Sequence, residues 1–198
     1  MRYDTLVIAS NNSGKILEIK TYLGGYFSDI VSVREAGLDI CLDKIETGDT
    51  LFENAFKKAE FVYKHLGLPV LADDSGLFVS ALEGQPGVNS AHFAGKPTSD
   101  TKNNQKLLEA LRGKADRSAY FECCLVLYLG ADRQINASAK TDGIILDKEA
   151  GDNGFGYDPL FFYPPLNLTF AQMCLKQKQQ TSHRGRALKK IVETIKNF

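Results

Sequence analysis

Residues 4–23 read DTLVIASNNSGKILEIKTYL, and this stretch decides the fold class. The run 4–9 is short and rich in branched apolar residues, the pattern of a buried strand. It breaks at Ser10-Asn11-Asn12-Ser13-Gly14, a cluster of turn and helix-capping residues. Ile16, Ile19 and Leu23 then share one helical face, and Gly24-Gly25 stops the helix. A strand, a polar turn and a helix in this order open an α/β protein.

Downstream, residues 29–33 predict a short strand, followed by a polar, acidic stretch to Asp49. Leu51, Ala55, Ala59, Val62 and Leu66 recur at helical spacing, with Gly67 and Pro69 as the stop. Residues 69–72 and 77–82 predict two strands flanking a turn at Asp73-Asp74-Ser75-Gly76. Residues 84–95 read as a loop and 102–111 as a helix. Two long strands, 118–129 and 134–146, are expected around the turn Gly130-Ala131-Asp132. The glycine-rich loop 151–158 precedes a last strand near 159–163. Ser182 is expected to cap a final helix striped by Leu188, Ile191 and Ile195. The alternation predicts a mixed α/β (α+β) fold with a mixed sheet, as one domain over residues 1–198.

At 198 residues with 43% hydrophobic and 24% charged, the chain is of ordinary globular composition. Its 24 Lys+Arg balance 24 Asp+Glu, which gives no general attraction for nucleic acid or an anionic membrane. The longest apolar run, 123–129, is far short of the ~20 residues of a membrane helix. The start of the chain lacks a secretory signal pattern, so a cytoplasmic protein is expected. Cys41, Cys123, Cys124 and Cys174 form no CxxC pair, and His65, His92 and His183 are scattered, so no zinc site is expected.

Four segments carry candidate chemistry. Lys15 falls in a first helical turn, where the macrodipole disfavours a cation; a bound anion or simple exposure would account for it. Asp73 and Asp74 are adjacent at an expected strand end, so their side chains point to opposite faces. One of them is thus available to hold Mg²⁺ and activate water, and the other for a structural bond, or Asp73-Asp74-Ser75-Gly76 is a plain hairpin turn, the reading these residues favour taken singly. In Gly154-Phe155-Gly156-Tyr157-Asp158 the aromatics suit a planar base and Asp158 a base edge or ribose, or the loop is a turn packed on the core. Ser182-His183-Arg184 again places cations at a helix start, a second breach of the dipole rule that points to an anionic ligand.

Together these segments resemble the inosine triphosphate pyrophosphatase family. The matching motifs are SNNSGKxxE (residues 10–18), ETGxTxxENAxxKA (46–59), LADDSGLxVxALxGxPGVxSA (71–91), GFGYDPxF (154–161) and SHRxxAL (182–188). Singly each is weak; in register over the whole chain they are highly specific. The resemblance implies cleavage between the α- and β-phosphates of ITP, dITP or XTP, with Mg²⁺ as cofactor and the monophosphate and pyrophosphate as products. It implies an elongated, two-lobed fold around a long mixed β-sheet with a central cleft, and a homodimer.

Carried over residue by residue, Ser10, Asn11, Asn12, Ser13, Gly14 and Lys15 hold the triphosphate, and Lys58 reaches phosphate. Asp74 is general base and metal ligand, with Ser75 beside it on substrate; the second metal ligand is Glu46 or is absent. Phe155, Gly156, Tyr157 and Asp158 form the base pocket, completed by Lys178, His183 and Arg184. In physical terms, hypoxanthine and xanthine carry a 6-oxo acceptor that His183 or Arg184 would recognise by donation. Three departures stand out: Ile45 where the family often has an acid, His92 in place of an arginine, and Ser138-Ala139 in place of an acidic-glycine pair. A Maf-like pyrophosphatase of modified nucleotides and a nucleotide-binding module without catalysis are the rival readings.

Overall fold

The computed structural model describes residues 4–130 and 133–197. Ala131 and Asp132, part of the expected 130–132 turn, lie outside the described residues. The strands are β1 (Thr5–Ala9), β2 (Asp29–Ser32), β3 (Val70–Val79), β4 (Pro86–Gly87), β5 (Ser118–Gly130), β6 (Arg133–Ile145), β7 (Phe161–Tyr163) and β8 (Leu168–Thr169). The helices are α1 (Ser13–Leu23), α2 (Leu51–Leu66), α3 (Asp100–Ala110), α4 (Leu175–Thr181) and α5 (His183–Lys196). Hydrogen-bonded neighbours run β2-β1-β3-β5-β6-β7-β8, with β4 on β3. β1 pairs parallel with β2 and β3, while β3–β4, β6–β7 and β7–β8 are antiparallel, so the sheet is long and mixed as expected.

The chain forms two compact units. The first comprises Met1–Asp74, Cys123–Ala139 and Arg184–Phe198; the second comprises Ser75–Glu122 and Lys140–His183. In the first, alternation along the strands builds a core on each face. Leu6 and Ile8 of β1 and Leu125 and Leu127 of β5 pack with Ile19 and Leu23 of α1 and Leu188 and Ile191 of α5. Val7, Ala9, Val126 and Tyr128 face the other way, onto Ala55, Ala59 and Val62 of α2. In the second unit, Leu77, Val79, Phe121 and Ile145 pack with Leu107, Tyr157, Phe161 and Phe170.

The turn expected at residues 73–76 is not there, because β3 runs unbroken from Val70 to Val79. Its two aspartates stay extended because cations from α1, α2 and α5 compensate their burial. Gly76 serves a close approach instead of a turn. A Cβ there would strike the carbonyl of Gly87 on β4. Gly76→Ala must push β4 off β3, at about 1–3 kcal/mol. Thermal melts are expected to show a midpoint several degrees lower, about 2–4 °C per kcal/mol for a chain of this size.

Candidate active site

In the first unit, the sequence after β1 shapes a helix start. Asn12 is the N-cap of α1, its Oδ1 accepting the Lys15 N–H at 2.9 Å. Ser10 Oγ accepts the Asn12 N–H at 3.1 Å, and Asn11 Nδ2 donates to the Ile40 carbonyl at 2.9 Å. These three side chains therefore hold the turn, while the Ser13 and Gly14 N–H groups stand at the positive end of α1 without intrahelical acceptors.

Asp73 is the hub of the unit. Its Oδ1 lies 2.6 Å from Lys15 Nζ and its Oδ2 2.7 Å from Arg184 Nε. Cys123 Sγ donates to Oδ2 at 3.2 Å. Arg184 also donates from Nη1 to Glu18 Oε2 at 2.6 Å, and its side chain is almost fully buried. Burial opposes the charge on Asp73, but Arg184 and Lys15 outweigh it and hold the carboxyl well below its usual range. Burial likewise opposes the Arg184 charge, and Asp73 and Glu18 reverse that.

This corrects the sequence reading of the two helix starts. The anion that offsets the cations of α1 and α5 is a carboxylate of the protein itself, Asp73. Arg184 was expected on the purine; it sits in the interior between two acids.

Asp74 points the other way, as alternation demands. Lys58, buried on α2, brings its Nζ 2.5 Å from Glu46 Oε1, 2.7 Å from the Asp73 carbonyl and 3.7 Å from Asp74 Oδ1. Burial opposes the Lys58 charge, and the carboxylates of Asp74, Glu46 and Asp73 overcome it, so the ammonium is held more firmly than usual. Burial pushes the Asp74 carboxyl up despite Lys58 and Lys15. Its Oδ2 is buried with no hydrogen-bond partner.

That orphaned oxygen is the kind of atom a metal ion or a water proton satisfies. Lys15, Lys58 and Arg184 face Glu18, Glu46, Asp73 and Asp74, one negative charge in excess when all are ionised. Such a cluster repels a polyphosphate unless a divalent cation enters. Among the described residues no three His, Cys, Asp or Glu side chains converge on one point. Two carboxylates, with phosphate oxygens and water for the rest, fit Mg²⁺. Glu46, one residue after Ile45, is the second carboxylate beside Lys58, while Ile45 packs against the apolar core.

In the second unit, the loop after Ala150 is wound by Gly154 at φ +80° and Gly156 at φ +61°. Asp158 Oδ2 accepts the Phe155 N–H at 2.8 Å and lies 2.5 Å from Lys178 Nζ. Lys178 in turn stands 4.7 Å from the centre of the half-buried Phe155 ring. Tyr157 is not available for stacking as expected: it is buried in the core and its hydroxyl donates to the Ser90 carbonyl at 2.8 Å. Burial, then the nearby Asp100 carboxylate, push that hydroxyl well above the usual tyrosine range. His183 stacks on Phe121, ring centres 4.7 Å apart and 11° from parallel.

Each unit thus gathers its own share of the expected residues: Lys15, Glu46, Lys58 and Asp74 in one, Phe155, Asp158, Lys178 and His183 in the other. Ser75 follows Asp74 on β3, half-buried. Sequence reasoning missed Glu18 and Cys123 as partners of Arg184 and Asp73. It also missed α4, whose buried residue is Lys178 and which therefore shows no apolar stripe. The contacts of Asp100 and Asn104 with Gly156 were missed too; the carboxylate and amide one helical turn apart were the available signal.

Comparison with known proteins adds a family. The Ham1 family model matches residues 6–194. The chain is 48% identical to the dITP/XTP pyrophosphatase of Syntrophobacter fumaroxidans, over 95% of this chain and 80% of that protein. It is 46% identical to the dITP/XTP pyrophosphatase of Clostridium perfringens, over 97% of each. The fold is similar to the solved Ham1 protein of Staphylococcus aureus, with TM-score 0.85, 40% identity and 98% and 99% of the two chains covered.

Proposed function

Because this chain belongs to the Ham1 family, we propose that it hydrolyses dITP and XTP, and ITP with them, to the monophosphate and pyrophosphate. The observation that carries the reading is Asp74: a buried carboxylate with one oxygen unpartnered, raised in basicity by burial, beside an ammonium. Curated relatives named dITP/XTP pyrophosphatases over nearly the full chain support it.

Phosphoanhydride hydrolysis is mainly a matter of positioning and charge neutralisation. Asp74 Oδ2 accepts the proton of the attacking water; a carboxyl pushed upward is the better base for it. Lys58 stays charged and offsets negative charge as the bond breaks. The Ser13 and Gly14 N–H groups, with the α1 dipole, hold phosphate oxygens. Asp73 keeps Lys15 and Arg184 in place. Mg²⁺ held by Asp74 and Glu46 supplies the positive charge that the cluster lacks.

In the second unit, the Phe155 ring offers a stacking face, and Lys178 and His183 offer donors for a 6-oxo group. Adenine presents an amino donor there and leaves the protein donor unpaired, at about 1–3 kcal/mol. We assign Arg184 to positioning instead of to the base edge. We read residues 1–198 as one cytoplasmic pyrophosphatase domain acting as a homodimer; no helix among the described residues is long and apolar enough to cross a membrane.

Separating the products of dITP by anion-exchange chromatography tests the bond assignment. Equal amounts of dIMP and pyrophosphate are expected with Mg²⁺, and none after chelation with EDTA. Release of dIDP and phosphate would place the cleavage one bond further out and overturn the reading.

A further inference from the structure

We propose that α3 is the positioning element for base recognition, with Asp100 and Asn104 clamping the two backbone polar groups of Gly156. The proposal rests on the reading that residues 154–158 contact the purine, and it names residues that this reading does not include. Gly156 donates its N–H to Asp100 Oδ2 at 2.7 Å, and Asn104 Nδ2 donates to the Gly156 carbonyl at 3.2 Å. Asp100 and Asn104 are one turn apart on the same face of α3. Gly156 itself is left-handed, a conformation that reverses the chain and that L side chains rarely adopt. Both of its backbone groups being tied fixes the peptide planes on each side, and with them the directions of Phe155 and Tyr157.

The amide of Asn104 is oriented by its surroundings. Its Nδ2 meets two acceptors, the Gly156 carbonyl and Glu149 Oε1 at 2.7 Å. Its Oδ1 is buried with no hydrogen-bond partner. A buried acceptor without a donor costs folding free energy, so packing alone does not account for an amide at this place. Breaches of this kind gather where a residue serves a site.

The neighbouring residue extends the hold. Asn103, also buried, donates to the Ala91 carbonyl at 3.0 Å and accepts the Ala94 N–H at 2.7 Å. That fixes the turn at Ser90–His92, whose Ser90 carbonyl receives the Tyr157 hydroxyl. Gly156 is thus held by α3 directly, and Tyr157 through Ser90. A loop ordered before the ligand arrives discriminates better than one ordered by it.

The test uses the full-length protein and reads kcat and KM for dITP and dATP, together with inhibition by inorganic pyrophosphate. Asp100→Ala and Asn104→Asp are expected to lower kcat/KM for dITP about tenfold, mostly through KM, the size of one lost hydrogen bond. The dITP/dATP ratio falls with it, while the pyrophosphate inhibition constant stays within twofold. Asp100→Asn retains an acceptor for the Gly156 N–H and is expected to rescue. Lys102→Ala, exposed on the same helix, serves as the control. If Asn104→Asp fails to fold, the exposed Asp100 pair decides the matter. A dITP/dATP ratio unchanged in Asp100→Ala overturns the proposal, as does a loss of pyrophosphate binding that parallels the loss of dITP binding. A wild-type protein without purine discrimination overturns the base-loop reading first, and this proposal with it.

Discussion

Asp74→Asn is expected to lower dITP turnover by about 10²–10⁴-fold, the range for removing a general base. The change keeps volume and shape, so the strand and its neighbours stay in place. It removes the proton acceptor, one of the two carboxylates paired with Lys58, and one of the two carboxylates proposed to hold the metal. KM is expected to change far less than kcat.

The same substitution is expected to leave the melting temperature unchanged or raised. Burial pushes the Asp74 carboxyl up. An acid whose folded pKa exceeds its unfolded value keeps its proton longer when folded. Its contribution to stability is therefore present at low pH and is lost as pH rises through the unfolded and then the folded value. Asparagine removes that loss at neutral pH. Such a trade of stability against activity is common at working sites. Turnover near wild type would move the base elsewhere, and a lower melting temperature would contradict the electrostatic account.

Arg184→Met is expected to cost about 3–5 kcal/mol, because it strands Asp73 and Glu18 in the interior without their common cation. At about 2–4 °C per kcal/mol the melting temperature falls by roughly 6–20 °C. Adding Asp73→Asn and Glu18→Gln removes the stranded charges and is expected to recover part of the loss, since contacting residues do not act additively. Whatever protein remains folded below the melting transition is expected to keep its preference for dITP over dATP. A stable variant with blurred base choice would return Arg184 to the purine edge.

Much of the fold was legible because it rests on local signals. Thr50 caps α2 through the Glu53 N–H, Gly67 ends it in the left-handed conformation, and its apolar residues fall on one face, so Leu51–Leu66 is read directly from spacing and punctuation. The parallel core strands are equally plain, since β1 is buried along most of its length. Residues 73–76 were misread because a hairpin turn and a strand with paired carboxylates have the same composition. The difference lies in Lys15, Lys58 and Arg184, and Arg184 is 111 positions from Asp73.

The family motifs say which residues to expect at the candidate site, but not what each one touches. Lys15 and Arg184 break the helix-dipole rule, and one chain cannot reveal whether the offsetting anion is a ligand or an aspartate in another element. Tyr157 looked like a stacking platform because its hydroxyl partner, the Ser90 carbonyl, belongs to a segment read as plain loop.

The central claim is a pyrophosphatase that selects purines with a 6-oxo group over adenine. Pyrophosphate release measured as kcat/KM for dITP and XTP against dATP, at saturating Mg²⁺, tests it most directly. The account predicts a preference of about 5- to 150-fold for dITP and XTP over dATP, the rate ratio that corresponds to the cost of one unpaired donor. Equal rates for dITP and dATP, or no pyrophosphate from either, would contradict it.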